Sequence, residues 1–182
     1  MEEARITLVC GPMFAGKSAR LQNTLEIYSI SGRKCLIIKH SKDDRFPLRA
    51  ISRSRPEVKE EIPVIKASDL FEIDKTILSK FSVIGIDEGQ FFRNLSEFCE
   101  EMANSGKIII VSALNSNFKR EKFPEVTELF HKCEKIKTLS SICFVCKKKA
   151  HFTKRITEET ELEVIGGEDK YIPVCRTHFN NE

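Results

Sequence analysis

An α/β fold is predicted, with a parallel sheet covered by helices on both faces and a small domain after it. Three observations predict it. Short β-branched runs recur up to Leu114, with helix-spaced segments between them. Several of these runs are apolar throughout, the habit of strands buried on both faces. Near residue 140 the pattern changes to cysteine pairs, lysine clusters and Gly166-Gly167. The order strand, helix, strand, helix, strand is the one that builds a parallel sheet.

The elements follow in turn. "ARITLVC" (4–10) alternates and is β-branched, a strand. From Gly16, the residues Leu21, Leu25 and Tyr28 recur at helical spacing until Gly32 closes the helix. "KCLIIK" (34–39) is a second, buried strand. Residues 40–61 carry Lys, Asp, Arg, Ser and Pro without a period and are expected as a long loop. "DLFEIDKTILSKF" (69–81) is expected as one helix with Leu70, Ile73, Ile77 and Leu78 inward. Val83, Ile84 and Ile86 form a further strand, broken by Gly89. Asn94 followed by Glu97 marks a capped helix start, and Gly106 stops that helix after Asn104. "KIIIVSAL" (107–114) is the next buried strand, and the domains are expected to divide as 1–141 and 142–182.

Composition narrows the class. With 182 residues, 41% hydrophobic and 31% charged, the chain reads as one ordinary globular domain with an appendage. A formal charge of +3 does not argue for a nucleic-acid partner. The longest apolar run, "IIIVSAL", falls far short of the roughly 18–20 residues of a membrane span, so no membrane partner is expected. "MEEARITLVC" begins acidic and is not expected to be a secretory leader. Seven cysteines, an odd number, point to reduced thiols in the cytosol or nucleus.

"GPMFAGKS" matches G-x-x-x-x-G-K-[ST] between a strand and a helix. Glycines there let backbone N–H groups crowd a polyphosphate, and the helix aims its positive end at the same anion. The nucleotide-binding set is Gly11, Pro12, Met13, Phe14, Ala15, Gly16, Lys17 and Ser18. Lys17 supplies charge to the β and γ phosphates, and the Ser18 hydroxyl is a ligand for Mg²⁺. "VIGIDEGQFF" (83–92) puts Asp87 and Glu88 at a strand's carboxyl end, the edge where open α/β sheets bind ligands. Beside a phosphate loop, Asp87 takes the metal-holding role, which leaves Glu88 as a candidate base. A strand end whose acids simply face water is the alternative.

"CFVC" (143–146) and "CRTH" (175–178) supply Cys143, Cys146, Cys175 and His178, four ligands suited to a closed, structural Zn²⁺ site. An extended loop must leave and return between them. Cys10, Cys35, Cys99 and Cys133 lie in apolar patterns and read as core residues.

"GPMFAGKS", "VIGIDEGQFF", "FCEEMANSGKIIIVSAL", "FTKR", "VIGGEDKY" and the two knuckles occur in the order found in type II thymidine kinases. The chain resembles that vertebrate cytosolic and poxviral class from Ile6 to His178. The resemblance implies a P-loop domain and a zinc-stapled domain, with a lasso loop between the knuckles closing over the nucleoside. It implies transfer of the ATP γ-phosphate to the 5′-hydroxyl of thymidine or deoxyuridine, in the cytoplasm, by a homotetramer or dimer of dimers. Glu88 matches the family's base, Asp87 its metal-strand acid, and Gln90 lies in the same nucleotide motif. Met13, Phe91, Leu114, Phe118 and Phe123 fall where the family encloses the base, though each phenylalanine also reads as core packing. Thr153, Leu162, Val164, Ile165, Gly166 and Tyr171 fall on or beside the lasso, which reads thymine through main-chain groups. Gly166 and Gly167 suit the close backbone approach such reading needs.

Three stretches depart from the family. Ala19 follows Ser18 where Thr or Ser is usual, and Arg53 and Ser54 replace a His-Asp pair, although Arg55 matches the basic residue after it. Asn115 and Ser116 replace Asp-Gly. Two other classes therefore stay open at this point. One is a catalytically weakened relative acting as a regulatory or assembly subunit. The other is a P-loop ATPase whose basic "CKKKAHFTKR" (146–155) grips nucleic acid.

Overall fold

The computed structural model describes residues 3–42, 62–159 and 166–180. Ten strands and five helices are described: β1 Arg5–Gly11, α1 Lys17–Ile30, β2 Cys35–His40, β3 Val64–Ala67, α2 Lys75–Leu78, β4 Val83–Asp87, α3 Leu95–Asn104 and β5 Ile108–Leu114. After these come α4 Pro124–Phe130, β6 Lys135–Thr138, β7 Ser141–Ile142, β8 Lys149–Ala150, β9 Phe152–Arg155, β10 Tyr171–Val174 and α5 Arg176–Asn180. Six strands form one sheet in the order β3-β2-β4-β5-β1-β6. Every pairing in it is parallel. The alternation of side chains along each strand divides its apolar residues between two cores. Leu8, Leu36, Ile84, Ile86, Ile109 and Val111 meet Phe98, Met102 and Leu129 of α3 and α4 on one face. Val9, Ile37, Val83, Ile108 and Ile110 meet Leu21, Leu25 and Tyr28 of α1 on the other. Gly85 allows α1 a close approach, since a Cβ there would lie 2.6 Å from Leu25 Cδ1.

The single helix expected over 69–81 is two pieces, a 3₁₀ turn at Leu70–Glu72 and the short α2. Two aspartates divide it. Asp69 accepts from the Phe71 N–H and Asp74 from the Thr76 N–H, both at 2.8 Å, so each starts its own turn with extended Ile73 between them. Ile73 and Leu78 are buried, but Ile77, expected inward, is exposed. Asn94 does precede α3, yet its side chain makes no capping bond. The Ser96 N–H instead finds Glu125 Oε2 of α4 at 3.3 Å. Strands β3 and β6 and helix α4 were not expected. Both strands are sheet edges of four residues, too short and too polar to carry a period. Most of the loop expected at 40–61 lies outside the described residues.

Beyond β6 the chain forms two two-stranded antiparallel sheets, β7–β8 and β9–β10, closed by α5. Their apolar centre is small: Cys143, Ala150 and Val174, with Phe152, Ile172 and Phe179 packed around them. Among the described residues, no helix is long and apolar enough to cross a membrane.

Candidate active site

The site lies at the carboxyl edge of the sheet, where β1 runs into the phosphate loop and β4 ends at Asp87. Phe14 and Gly16 adopt left-handed backbone, with φ 61° and 77°, which turns the loop around an open centre. The Phe14 side chain is 40% exposed, so only its backbone belongs to the cradle. Gly11 is required by contact, because a Cβ there would meet the Leu139 carbonyl oxygen at 2.6 Å. Strands β7 and β9 grip the same loop: the Met13 N–H donates to Thr153 Oγ1, and Ser141 Oγ to the Phe14 carbonyl, both at 3.0 Å. Lys17 is buried and its Nζ donates to the Pro12 carbonyl at 2.8 Å, poised within the loop it would serve.

Asp87 is 2% exposed and accepts from Ser18 Oγ at 2.9 Å and from the Ser112 hydroxyl. Burial pushes its carboxyl above the usual range and the Glu88 charge adds to this; the two hydroxyls and Lys39 act the other way. Lys39 stands opposite Asp87 in the β2–β4 register and is itself buried. The expected alternative, acids simply facing water, fails for Asp87. Glu88 takes left-handed backbone, φ 52° and ψ 46°, a strained state for a residue with a side chain. Gln90 Nε2 donates to Glu88 Oε2, while Gln90 Oε1 accepts the Leu114 N–H at 3.0 Å. One buried amide thus aims the carboxylate and ties it to the end of β5.

The remaining expected residues separate. Phe91 stands 5.7 Å from the His40 ring, and Phe118 lies 3.8 Å under the Arg155 guanidinium. Arg155 Nη2 donates to the Tyr171 hydroxyl at 2.7 Å. Phe123 packs against the main apolar core. Around Gly166 the near neighbour is protein, since a Cβ there would lie 2.5 Å from Lys170 Cδ. Arg53, Ser54, Arg55, Leu162, Val164 and Ile165 lie outside the described residues. Lys39, His40, Ser112 and Arg155 were missed from sequence. Lys39 ended the strand expected at 34–39 and His40 fell in the loop expected after it, whereas β2 runs through His40; a polar pair at the carboxyl end of a buried strand was the available signal.

In the small domain, donor atoms of Cys143, Cys146, Cys175 and His178 all lie within 4.8 Å of one another. Cys143 Sγ is 3.6 Å and Cys175 Sγ 3.2 Å from His178 Nδ1, and Cys146 Sγ is 3.8 Å from Cys175 Sγ. The edges of a tetrahedron around zinc measure about 3.7 Å for ligands at zinc–sulfur distance, so this soft donor set fits that ion. Burial raises the Cys143 thiol, but backbone N–H groups of Cys146, Cys175 and Val145 outweigh it and bring it down to about 6. None of the seven cysteines is in a disulfide.

A phosphate loop set against a buried acid and a held carboxylate, on a parallel sheet, defines a nucleotide-binding phosphotransferase. The family model described as thymidine kinase matches residues 4–179. Thymidine kinase of vaccinia virus (strain Ankara) is 43% identical over 176 residues, 97% of each chain. That of raccoon poxvirus is 42% identical over 182 residues, 100% of each chain. The chain belongs to the thymidine kinase family and is an enzyme, with ATP and thymidine as its substrates. Among solved structures, the Legionella pneumophila ATPase DotB is a distant likeness. It has a TM-score of 0.47 and 12% identity over 82% of this chain and 44% of its own.

Proposed function

We propose that Glu88 accepts the 5′-hydroxyl proton of thymidine as that oxygen attacks the γ-phosphorus of ATP. The new O–P bond forms, the bond from the γ-phosphorus to the bridging oxygen breaks, and ADP leaves. The observation that carries this is the Glu88 carboxylate, held by Gln90 next to Asp87 at the mouth of the phosphate loop. Loop amides from Phe14 to Ser18 and the Lys17 ammonium bind the phosphates, Lys17 exchanging the Pro12 carbonyl for them. Mg²⁺, held by Ser18 and through water by Asp87, would offset charge on the β and γ phosphates. The residues fit such an ion. Ser18 Oγ and Asp87 Oδ1 are 2.9 Å apart, and the buried carboxylate, disfavoured by its surroundings, gains an opposite charge.

Nucleoside recognition falls to Met13, Phe91, Leu114, Phe118, Phe123 and Tyr171 with Arg55, and to lasso groups of Thr153, Leu162, Val164, Ile165 and Gly166. The domain division at residue 141, one Zn²⁺ on the four-ligand cluster and a cytoplasmic enzyme complete the reading. The unpaired cysteines support that location. Exposed Ile142, Phe144 and Val145 leave apolar surface for subunit contacts, supporting a homotetramer or dimer of dimers that sedimentation equilibrium can test.

Glu88→Gln keeps size and polarity and removes the proton acceptor. Thymidine-dependent ADP release should fall by about 10² to 10⁴ in kcat. Calorimetric binding of both substrates should persist. Retention of more than about a tenth of wild-type kcat would rule out Glu88 as the base.

A further inference from the structure

We infer that Arg155 and Arg120 are positioning residues: together they clasp the 114–121 loop to the small domain and hold Phe118 and Tyr171 as walls of the nucleoside pocket. This rests on the nucleoside site proposed above. The loop itself is built rather than slack. Asn117 Oδ1 accepts the N–H groups of Lys119 and Glu121, both at 2.9 Å, and the Arg120 N–H returns to the Asn117 carbonyl at 3.0 Å. Arg120 pays for its place with left-handed backbone, φ 64°. Such strain persists only where the surroundings impose it. Here it accompanies a guanidinium 4.5 Å from the Phe179 ring and 5.6 Å from Phe152.

The second contact runs the opposite way. Arg155 ends β9 in the small domain, and its guanidinium lies 3.8 Å from the centroid of Phe118 on the loop. The same group donates to the Tyr171 hydroxyl at 2.7 Å and to the Glu159 carbonyl at 2.9 Å. Each side therefore places one cation on the other's aromatic rings. One stack would leave the loop able to pivot, whereas two stacks in opposite directions oppose that rotation. Phe118 remains half-buried, so part of its ring surface stays open to a ligand. Stacking and forked donation together need a planar guanidinium, which lysine cannot supply.

Kinetics and amide exchange test the clasp on the full-length enzyme. Arg155→Met should raise the thymidine KM about tenfold, the worth of one well-placed cation–π contact with its hydrogen bond. kcat and the ATP KM should stay within about threefold, since neither phosphate loop nor base is touched. Arg155→Lys should not rescue the thymidine KM, and Arg120→Met should shift it the same way by about threefold. Combining Arg155→Met with Phe118→Leu should cost less than the product of the two single losses, because the two changes share one contact. Without thymidine, backbone amides of residues 115–121 should exchange faster in Arg155→Met. Unchanged exchange there overturns the clasp whatever the substrate. An unchanged thymidine KM, full rescue by lysine or multiplicative losses in the double variant overturn it as well. A wild-type enzyme without thymidine-dependent ADP release instead defeats the functional reading. Should Arg155→Met fail to fold, Tyr171→Phe deletes only the hydroxyl that Arg155 holds, and it must speed the same amides for the clasp to stand.

Discussion

The two parts of the chain solve the problem of rigidity by different means. Up to β6, side chains such as Phe92, Phe98, Ile84 and Leu21 are shut away on two faces of a six-stranded sheet. That burial holds a strained Glu88 and a buried Asp87 in place. The small domain has three fully buried apolar residues and two-stranded sheets that could not stand alone. Its Cys143, Cys146, Cys175 and His178 cluster is the proposed source of its order, through a bound metal. On the proposed reading, chemistry sits on the part held by packing, and part of the nucleoside surface is carried by the part held by coordination.

The largest expected effect comes from removing a ligand. Cys175→Ser should abolish stoichiometric zinc, measured by emission spectroscopy after dialysis, and unfold the small domain. The loss is on the order of 10 kcal/mol of metal-linked folding energy. Full zinc occupancy in this variant would show that the cluster is not the staple. The matching cut in the larger domain is Phe98→Ala. It should cost about 3–5 kcal/mol in denaturant unfolding while zinc content stays unchanged. If zinc is lost too, the two parts are not separately held.

A smaller effect tests the nucleoside surface. If main-chain groups suited to the O4 and N3–H of thymine read the base, they meet an amino donor and a bare N3 in cytosine, and each buried mismatch costs about 1–3 kcal/mol. Deoxycytidine should fall at least about 10²-fold below thymidine in kcat/KM, with deoxyuridine between them. Equal turnover of deoxycytidine in a coupled ADP assay would sink main-chain recognition.

The smallest effect concerns Asp87. Its folded-state pKa lies above the ordinary carboxyl value, so the folded protein holds the proton more tightly than the unfolded chain does. Stability from the neutral form is complete below the unfolded pKa and lost as pH rises through the folded one. At pH 7 without divalent cation, Asp87→Asn should therefore stabilise, by on the order of 1 kcal/mol or about 2–4 °C in Tm. The same variant should lose Mg²⁺-dependent turnover. A lower Tm would mean that Lys39 already compensates the charge.

Local chemistry in the sequence decided a good deal. The phosphate loop is legible because its glycines, Lys17 and Ser18 are consecutive and flanked by a strand and a helix. Asp87 and Glu88 are legible because a buried strand ends on them, and the cluster because cysteine pairs keep their spacing. Long apolar strands such as β5 were found within a residue or two. What failed was short or divided between neighbours. β3 and β6 owe their form to pairing with β2 and β1, and the 69–81 segment was split by two aspartates whose side chains each begin a separate turn. Lys39 against Asp87, Gln90 between Glu88 and Leu114, and the two arginine stacks join residues far apart in the chain. Periodicity and motif spacing report what neighbouring residues require of the backbone. Which carboxylate is buried, which is aimed and which arginine meets which ring depend on distances set only once the sheet has closed, so the tertiary structure alone decided them.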